Sequence, residues 1–220
     1  MQITPLFSKY SFLSVNCYLI KNEAGYFLVD SGIAKTQDAL VKDLEAAGCR
    51  AGNLKLILLT HGDLDHSGNC AALRRKYGGK IAMHRADLVN VQTGDMFANK
   101  STNPIARTSV NGMFAVMGLN AFERFMPDLF LTDGQDLSEF GLKATAIHVP
   151  GHSKGSMAFL TKEGDLFCGD LLENTKKPVT NSLADDVNQL KASARRLSQY
   201  PIKTVYPGHG GPFAWEQLGL

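Results

Sequence analysis

No stretch of this 220-residue chain approaches the roughly 18 consecutive apolar residues that a membrane-spanning helix needs. The first twenty residues, "MQITPLFSKYSFLSVNCYLI", also lack a basic head followed by an apolar block. They read as strands rather than as a targeting segment. Net charge is scarce: 23 Lys and Arg against 21 Asp and Glu leave +2, with no long basic run. A nucleic-acid or membrane surface is therefore not the expected partner. Cysteine is sparse too. Cys17, Cys49, Cys70 and Cys168 are scattered, with no Cys-x-x-Cys pair, as in a reduced cytoplasmic protein whose thiols act as small core residues. Linkers, low-complexity tracts and clear repeats are missing as well. What remains is an ordinary soluble composition, 44% hydrophobic and 20% charged, in a chain of single-domain length.

Strands and helices mix along the whole length. "SVNCYLI" and "GYFLVD" flank the polar connection "KNEA" and read as a hairpin. "KTQDALVKDLEAAG" carries Leu40 and Leu44 at helical spacing, with Gly48 as a stop. "LKLILLT" is a continuous apolar run, the pattern of a strand buried on both faces. "SMAFLTK-EG-DLFCGD" reads as a second hairpin and "DDVNQLKASARRLSQY" as an amphipathic helix. Residues 87–128 break this rhythm. They are rich in Phe and Met and read as a helical insertion within one α/β (α+β) domain spanning residues 1–220.

The chemistry concentrates in loops that follow strands. "LTHGDLDHSG" places His61, Asp63, Asp65 and His66 within six positions. His152 follows in "VPGHSKGS", Asp170 in "LFCGDLL" and His209 in "VYPGHGG", each directly after a glycine. Glycine lets the backbone turn sharply, so such side chains can be aimed at one point. Imidazole and carboxylate together suit zinc, iron or manganese without thiolates.

These segments resemble the metallo-β-lactamase-fold hydrolases along nearly the whole chain. The signature of that family is His-x-His-x-Asp-His followed by a distant His, Asp and His. "HGDLDH", "GHS", "CGD" and "PGHG" supply it in order, with Asp63 standing where a histidine is expected. The resemblance implies a four-layer αββα sandwich with metals at one edge of the paired sheets. It implies a first ion on His61, Asp63 and His152, a second on Asp65, His66 and His209, and Asp170 bridging them. Two divalent ions about 3.5–4 Å apart would share a water ionised near neutral pH, which attacks an ester, thioester, lactone or amide-type carbonyl. Asp65 and Asp170 would be the catalytic carboxylates, Asp65 orienting the attacking hydroxide.

Asp63 adds charge and a harder oxygen donor. Zinc remains the first expectation, with iron or manganese admitted. Iron would open a second function, a di-iron redox enzyme like the flavodiiron branch, which has a glutamate here; no flavodoxin module accompanies this sequence. A metal-binding protein without turnover is the third. The glyoxalase II-like enzymes are the nearest analogy for a small cytoplasmic chain, although their Arg-containing segment does not follow Asp170.

Around this set, Asp30 in "LVDSG" is a candidate to orient a ligand. His84 is a candidate for the pocket wall, His148 for a structural histidine, and Cys168 for a packed thiol. Met96, Phe97, Met113, Phe114, Met117, Phe122, Phe125 and Met126 would form an apolar lid or a homodimer contact. The expected partner is a small apolar or acyl-bearing molecule, with neither nucleic acid nor membrane.

Overall fold

Alternation along the strands builds the molecule outward from two facing sheets. In this computed structural model, residues 1–98, 100, 104–119 and 123–219 are described. Phe122 lies outside them. The first sheet runs in spatial order β1 (Gln2–Tyr10), β2 (Leu13–Asn22), β3 (Gly25–Val29), β4 (Leu54–Leu58), β5 (Lys80–His84) and β6 (Leu129–Leu131). β1, β2 and β3 pair antiparallel, and the pairs from β3 to β6 are parallel. The second sheet contains β7 (Gln135–Asp136), β8 (Ala144–His148), β9 (Met157–Thr161), β10 (Asp165–Asn174), β11 (Val179–Thr180), β12 (Thr204–Gly210) and β13 (Phe213–Ala214). Its spatial order is β13–β12–β10–β9–β8–β7, with β11 paired to β10.

Side chains two apart on a strand share a face. Phe27 and Val29 of β3, with Leu56 and Leu58 of β4, therefore point to the second sheet. There they meet Ala144, Ala146, Phe159 and Phe167. The intervening Leu28 and Ile57 point the other way, to α1 (Gln37–Ala46) and the neighbouring α3 (Cys70–Tyr77), through Leu40, Leu44 and Leu73. On the far side, Ile147, Ala158 and Leu166 pack on Leu190 and Ala194 of α6 (Val187–Arg196). Three apolar layers between four layers of structure make the expected αββα sandwich.

Sequence signals mark several ends. Asp186 caps α6, its Oδ1 accepting from the Gln189 N–H at 2.9 Å. α3 ends at a left-handed Gly78, φ 84°. Between these blocks lie the four-residue α2 (Leu64–Ser67), then α4 (Leu88–Thr93) and α5 (Pro104–Val116), the last two inside the 87–128 stretch. No helix among the described residues is long and apolar enough to cross a membrane.

Candidate metal centre

Strands and the loops that leave them deliver the donors. Residues 59–63 leave β4 and lead into α2, which carries Asp65 and His66. His152 sits in the β8–β9 loop, but Asp170 lies inside β10, next to its irregularity at Gly169, and His209 inside β12, rather than in loops after those strands. Two glycines permit the approach. Gly169 has φ 50°, and a Cβ there would stand 2.4 Å from Thr60 Oγ1. A Cβ on Gly208 would stand 2.4 Å from Asp170 Oδ1. Real Cβ atoms do not come that close, so no other residue fits either place without a shift.

All seven predicted residues converge. His61, Asp63 and His152 form one trio, Asp65, His66 and His209 a second, and His61, His66 and Asp170 a third, each with donor atoms within 4.8 Å of one another. Asp170 lies between them: Oδ1 is 3.2 Å from His66 Nε2, and Oδ2 is 3.3 Å from His209 Nε2 and 3.8 Å from His152 Nε2.

The hydrogen bonds behind the four imidazoles fix their tautomers. His66 Nδ1 donates to Asp30 Oδ2 at 2.8 Å, His152 Nδ1 to the Leu183 carbonyl at 2.6 Å and His209 Nδ1 to the Ser14 carbonyl at 2.6 Å. The Thr60 hydroxyl donates to Asp30, so its oxygen accepts from His61 Nδ1 at 3.0 Å. In the neutral form of each ring the Nε2 lone pair is therefore left facing the centre. Asp30, at φ 58°, also accepts from the Thr60 N–H and so couples two ligand loops.

Four of the polar atoms aimed inward have no partners of their own. His61 Nε2, His66 Nε2, Asp63 Oδ1 and Asp170 Oδ1 are buried without a hydrogen bond. His66 Nε2 and Asp170 Oδ1 stand 3.2 Å apart at an angle that makes none, as two ligands of a common ion would. Buried polar atoms are otherwise paired nearly everywhere in proteins, so this donor set fits divalent cations.

Mutual charge shapes the cluster. Burial pushes the Asp170 carboxyl up, but His66 and His209 outweigh it and hold it well below the usual carboxylate range. Burial acts the same way on Asp63, where Lys100 and then His152 prevail and the group is again held low. Asp65 is raised, by burial first and by Asp170. Burial followed by the neighbouring His66 and His152 pushes His61 down. Burial opposes protonation of His209, yet Asp170 carries it up to about 9.

Two participants carried no sequence signal. Asp87, fully buried, accepts from the Gly62 N–H (3.1 Å), the Ser153 hydroxyl (2.6 Å) and the Gly155 N–H (2.8 Å), clasping the two loops of the first trio. Lys100 places Nζ 3.0 Å from Asp63 Oδ2. Both belong to the 87–128 stretch. His84 does not line the pocket; its ring stacks on His148 at 4.2 Å, and His148 Nε2 bonds the Lys154 carbonyl. Cys168 is a buried thiol outside the cluster, pushed up by burial.

Asp63, Asp65, His152, Asp170 and His209 floor a cavity of about 490 Å³ walled by Leu13, Ile33, Met96, Phe97, Val110, Phe114 and Leu119. The apolar residues of the insertion divide among different tasks. Met96, Phe97 and Phe114 line the cavity, and Met117 packs beside Val15 and Ile33. Phe125 joins the core under α3, while Met113 and Met126 face solvent.

A four-layer αββα sandwich with an imidazole–carboxylate cluster at the sheet ends defines a metal-binding hydrolase. The sequence model of the metallo-beta-lactamase superfamily matches residues 10–209, and the chain belongs to that superfamily. It is 26% identical over 218 residues to the human acyl-coenzyme A thioesterase MBLAC2, covering 92% of this chain and 75% of that one. It is 29% identical over 160 residues to the hydroxyacylglutathione hydrolase GloC of Haemophilus influenzae, covering 71% and 66%. Among solved structures, TTHA1623 in a di-iron-bound form superposes with a TM-score of 0.72 at 28% identity, covering 96% of this chain and 94% of that one.

Proposed function

We propose that the protein is a dinuclear metal-dependent hydrolase that cleaves an acyl thioester. One observation carries the reading: two donor trios meet at one carboxylate, and five of the seven donors floor a cavity with apolar walls. His61, Asp63 and His152 would hold one ion, Asp65, His66 and His209 the other, with Asp170 shared. When bound, the pair supplies Lewis acidity and a water acidified towards neutral pH. The chain does the rest. Asp170 and Asp65 orient the water at the acyl carbon, and Asp65 holds the proton. The walls from the insertion receive the acyl chain and exclude bulk water, so the insertion acts as a lid on a single domain. Water adds to the carbonyl carbon, the C–S bond breaks, and the thiol leaves with a proton.

A thioester is preferred over other esters, lactones or amides because the relatives named for coenzyme A and glutathione substrates act on thioesters. Zinc is the preferred ion, with iron or manganese admitted by the oxygen donor of Asp63. The four cysteines are free and buried, in keeping with a reduced cytoplasmic setting.

A panel of acyl-coenzyme A, acylglutathione, lactone and phosphodiester substrates, assayed after chelation and reloading with Zn²⁺, Mn²⁺ or Fe²⁺, tests this. Thioester turnover should return with metal, vanish in Asp170→Ala and persist in His148→Ala. Turnover of lactone or phosphodiester alone would replace the substrate class. A di-iron redox enzyme is the second reading, favoured by Asp63 and by the iron in the neighbouring structure. Iron above zinc in protein purified without added metal, with oxygen consumption on adding a reductant, would select it.

A further inference from the structure

A carboxylate in place of imidazole at residue 63 adds negative charge to a buried cluster, and the fold answers with positive charge. The Lys100 side chain is 7% exposed, and its Nζ sits 3.0 Å from Asp63 Oδ2. That same oxygen lies 3.3 Å from His152 Nε2 and 3.7 Å from His61 Nε2. Among the described residues, no lysine or arginine pairs with the other trio. Asp65, His66 and His209 are surrounded by one another, Asp170 and Asp30. Lys100 is the only lysine or arginine among the described residues lining the cavity.

We propose that Lys100 is the built-in counter-ion of Asp63 and that it makes the two trios unequal. A cation entering His61–Asp63–His152 competes with the Lys100 ammonium for Asp63 Oδ2, whereas no ammonium shares a carboxylate of Asp65–His66–His209. The inference rests on the clusters being the metal centre. A divalent ion and an ammonium sharing one carboxylate oxygen repel each other strongly in a site shielded from water. Lys100 is not an anchor for an anionic substrate, because Asp63 holds its ammonium and Asp185 adds further negative charge beside it. It acts through Asp63 and is a positioning residue. The segment that roofs the pocket thereby neutralises the carboxylate at its floor.

Native mass spectrometry of chelated protein, titrated with buffered free zinc, counts the zero-, one- and two-ion species. Wild type should pass through a one-ion species over about a ten-fold or wider range of zinc. Lys100→Met should compress that range by tightening the second ion about ten-fold, and Lys100→Arg, which keeps the charge, should preserve it. His209→Ala should remove the tight ion and His152→Ala the weak one. Without zinc, Lys100→Met should melt lower than wild type, because Asp63 is left buried without its counter-ion. Zinc should then raise its melting temperature by more than it raises that of wild type, which a purely structural lysine would not produce.

Wild type loading both ions in one step, or Lys100→Met leaving the second ion unchanged or looser, overturns the proposal. If neither protein binds zinc, iron or manganese, the metal centre itself falls, and this inference with it. Should Lys100→Met fail to fold, Lys100→Gln carries the same titration with Asp63 in place, and a second ion no tighter than in wild type counts against the counter-ion.

Discussion

At the scale of residues, Asp87 gathers three donors from two loops onto one fully buried carboxylate. Asp87→Ala would strand the Gly62 and Gly155 N–H groups away from water, while the Ser153 hydroxyl keeps Ser156 Oγ at 2.9 Å. Each stranded donor costs about 1–3 kcal/mol, so the loss is expected at about 2 kcal/mol or more in chemical denaturation. Metal content should fall with it, because Gly62 and Ser153 flank His61 and His152. Asp87→Asn keeps an acceptor and should lose less on both counts. Equal stability in Asp87→Ala and wild type would deny the clasp. The contrast with the donor set shows what a sequence can carry. His61, Asp65, His66, His152, Asp170 and His209 were legible because metal chemistry restricts residue type and the motif restricts spacing. Asp87 and Lys100 were not, since an aspartate or lysine in a helical stretch is ordinarily a solvated charge. Their partners become visible only after residues distant in the chain are brought together.

At the scale of elements, legibility followed period. Strands β3, β4 and β9 and helices α1 and α6 were readable from alternation, apolar runs and caps. The two-residue β11 and β13 pair only because β10 and β12 lie beside them, and two residues hold no period. α4 and α5 lie in the 87–128 stretch, but its several surfaces were not readable. α5 shows Phe114 to the cavity and Met113 and Val116 to solvent, and an ion pair between Arg107 and Asp95 ties it to the segment after α4. A lid therefore depends on Phe97 and Phe114 rather than on the whole Phe/Met set. Phe97→Ser and Phe114→Ser should raise KM for long-chain acyl thioesters about ten-fold, the loss expected from about 1.4 kcal/mol of apolar contact. kcat for a short acetyl thioester should hold. Met113→Ser, on the outer face, should alter neither. A change confined to oligomeric state in the Phe variants would make the insertion a subunit contact instead of a lid.

At the scale of the whole molecule, the centre joins both sheets. His61, Asp63, Asp65 and His66 hang from the first sheet, and His152, Asp170 and His209 from the second. Direct cross-links also exist beside the centre. Asn16 and Tyr18 of β2 donate to the Pro207 carbonyl of β12 at 3.0 and 2.7 Å, and Thr60 O accepts from the Met157 N–H at 2.7 Å. A cation bound by both halves stabilises only the folded state, because the trios are assembled from residues far apart in sequence. Ligand at a hundred times its dissociation constant adds about 2.7 kcal/mol, and a domain of this size gains about 2–4 °C per kcal/mol. Removing tightly held metal with a chelator should therefore lower Tm by about 5–10 °C, and zinc should restore it. Asp170→Ala takes away the carboxylate that both trios approach. Its Tm should respond to zinc far less than that of wild type, even if it folds as well in chelator. A full zinc response in Asp170→Ala would show that the ions bind each half separately and that no carboxylate joins them.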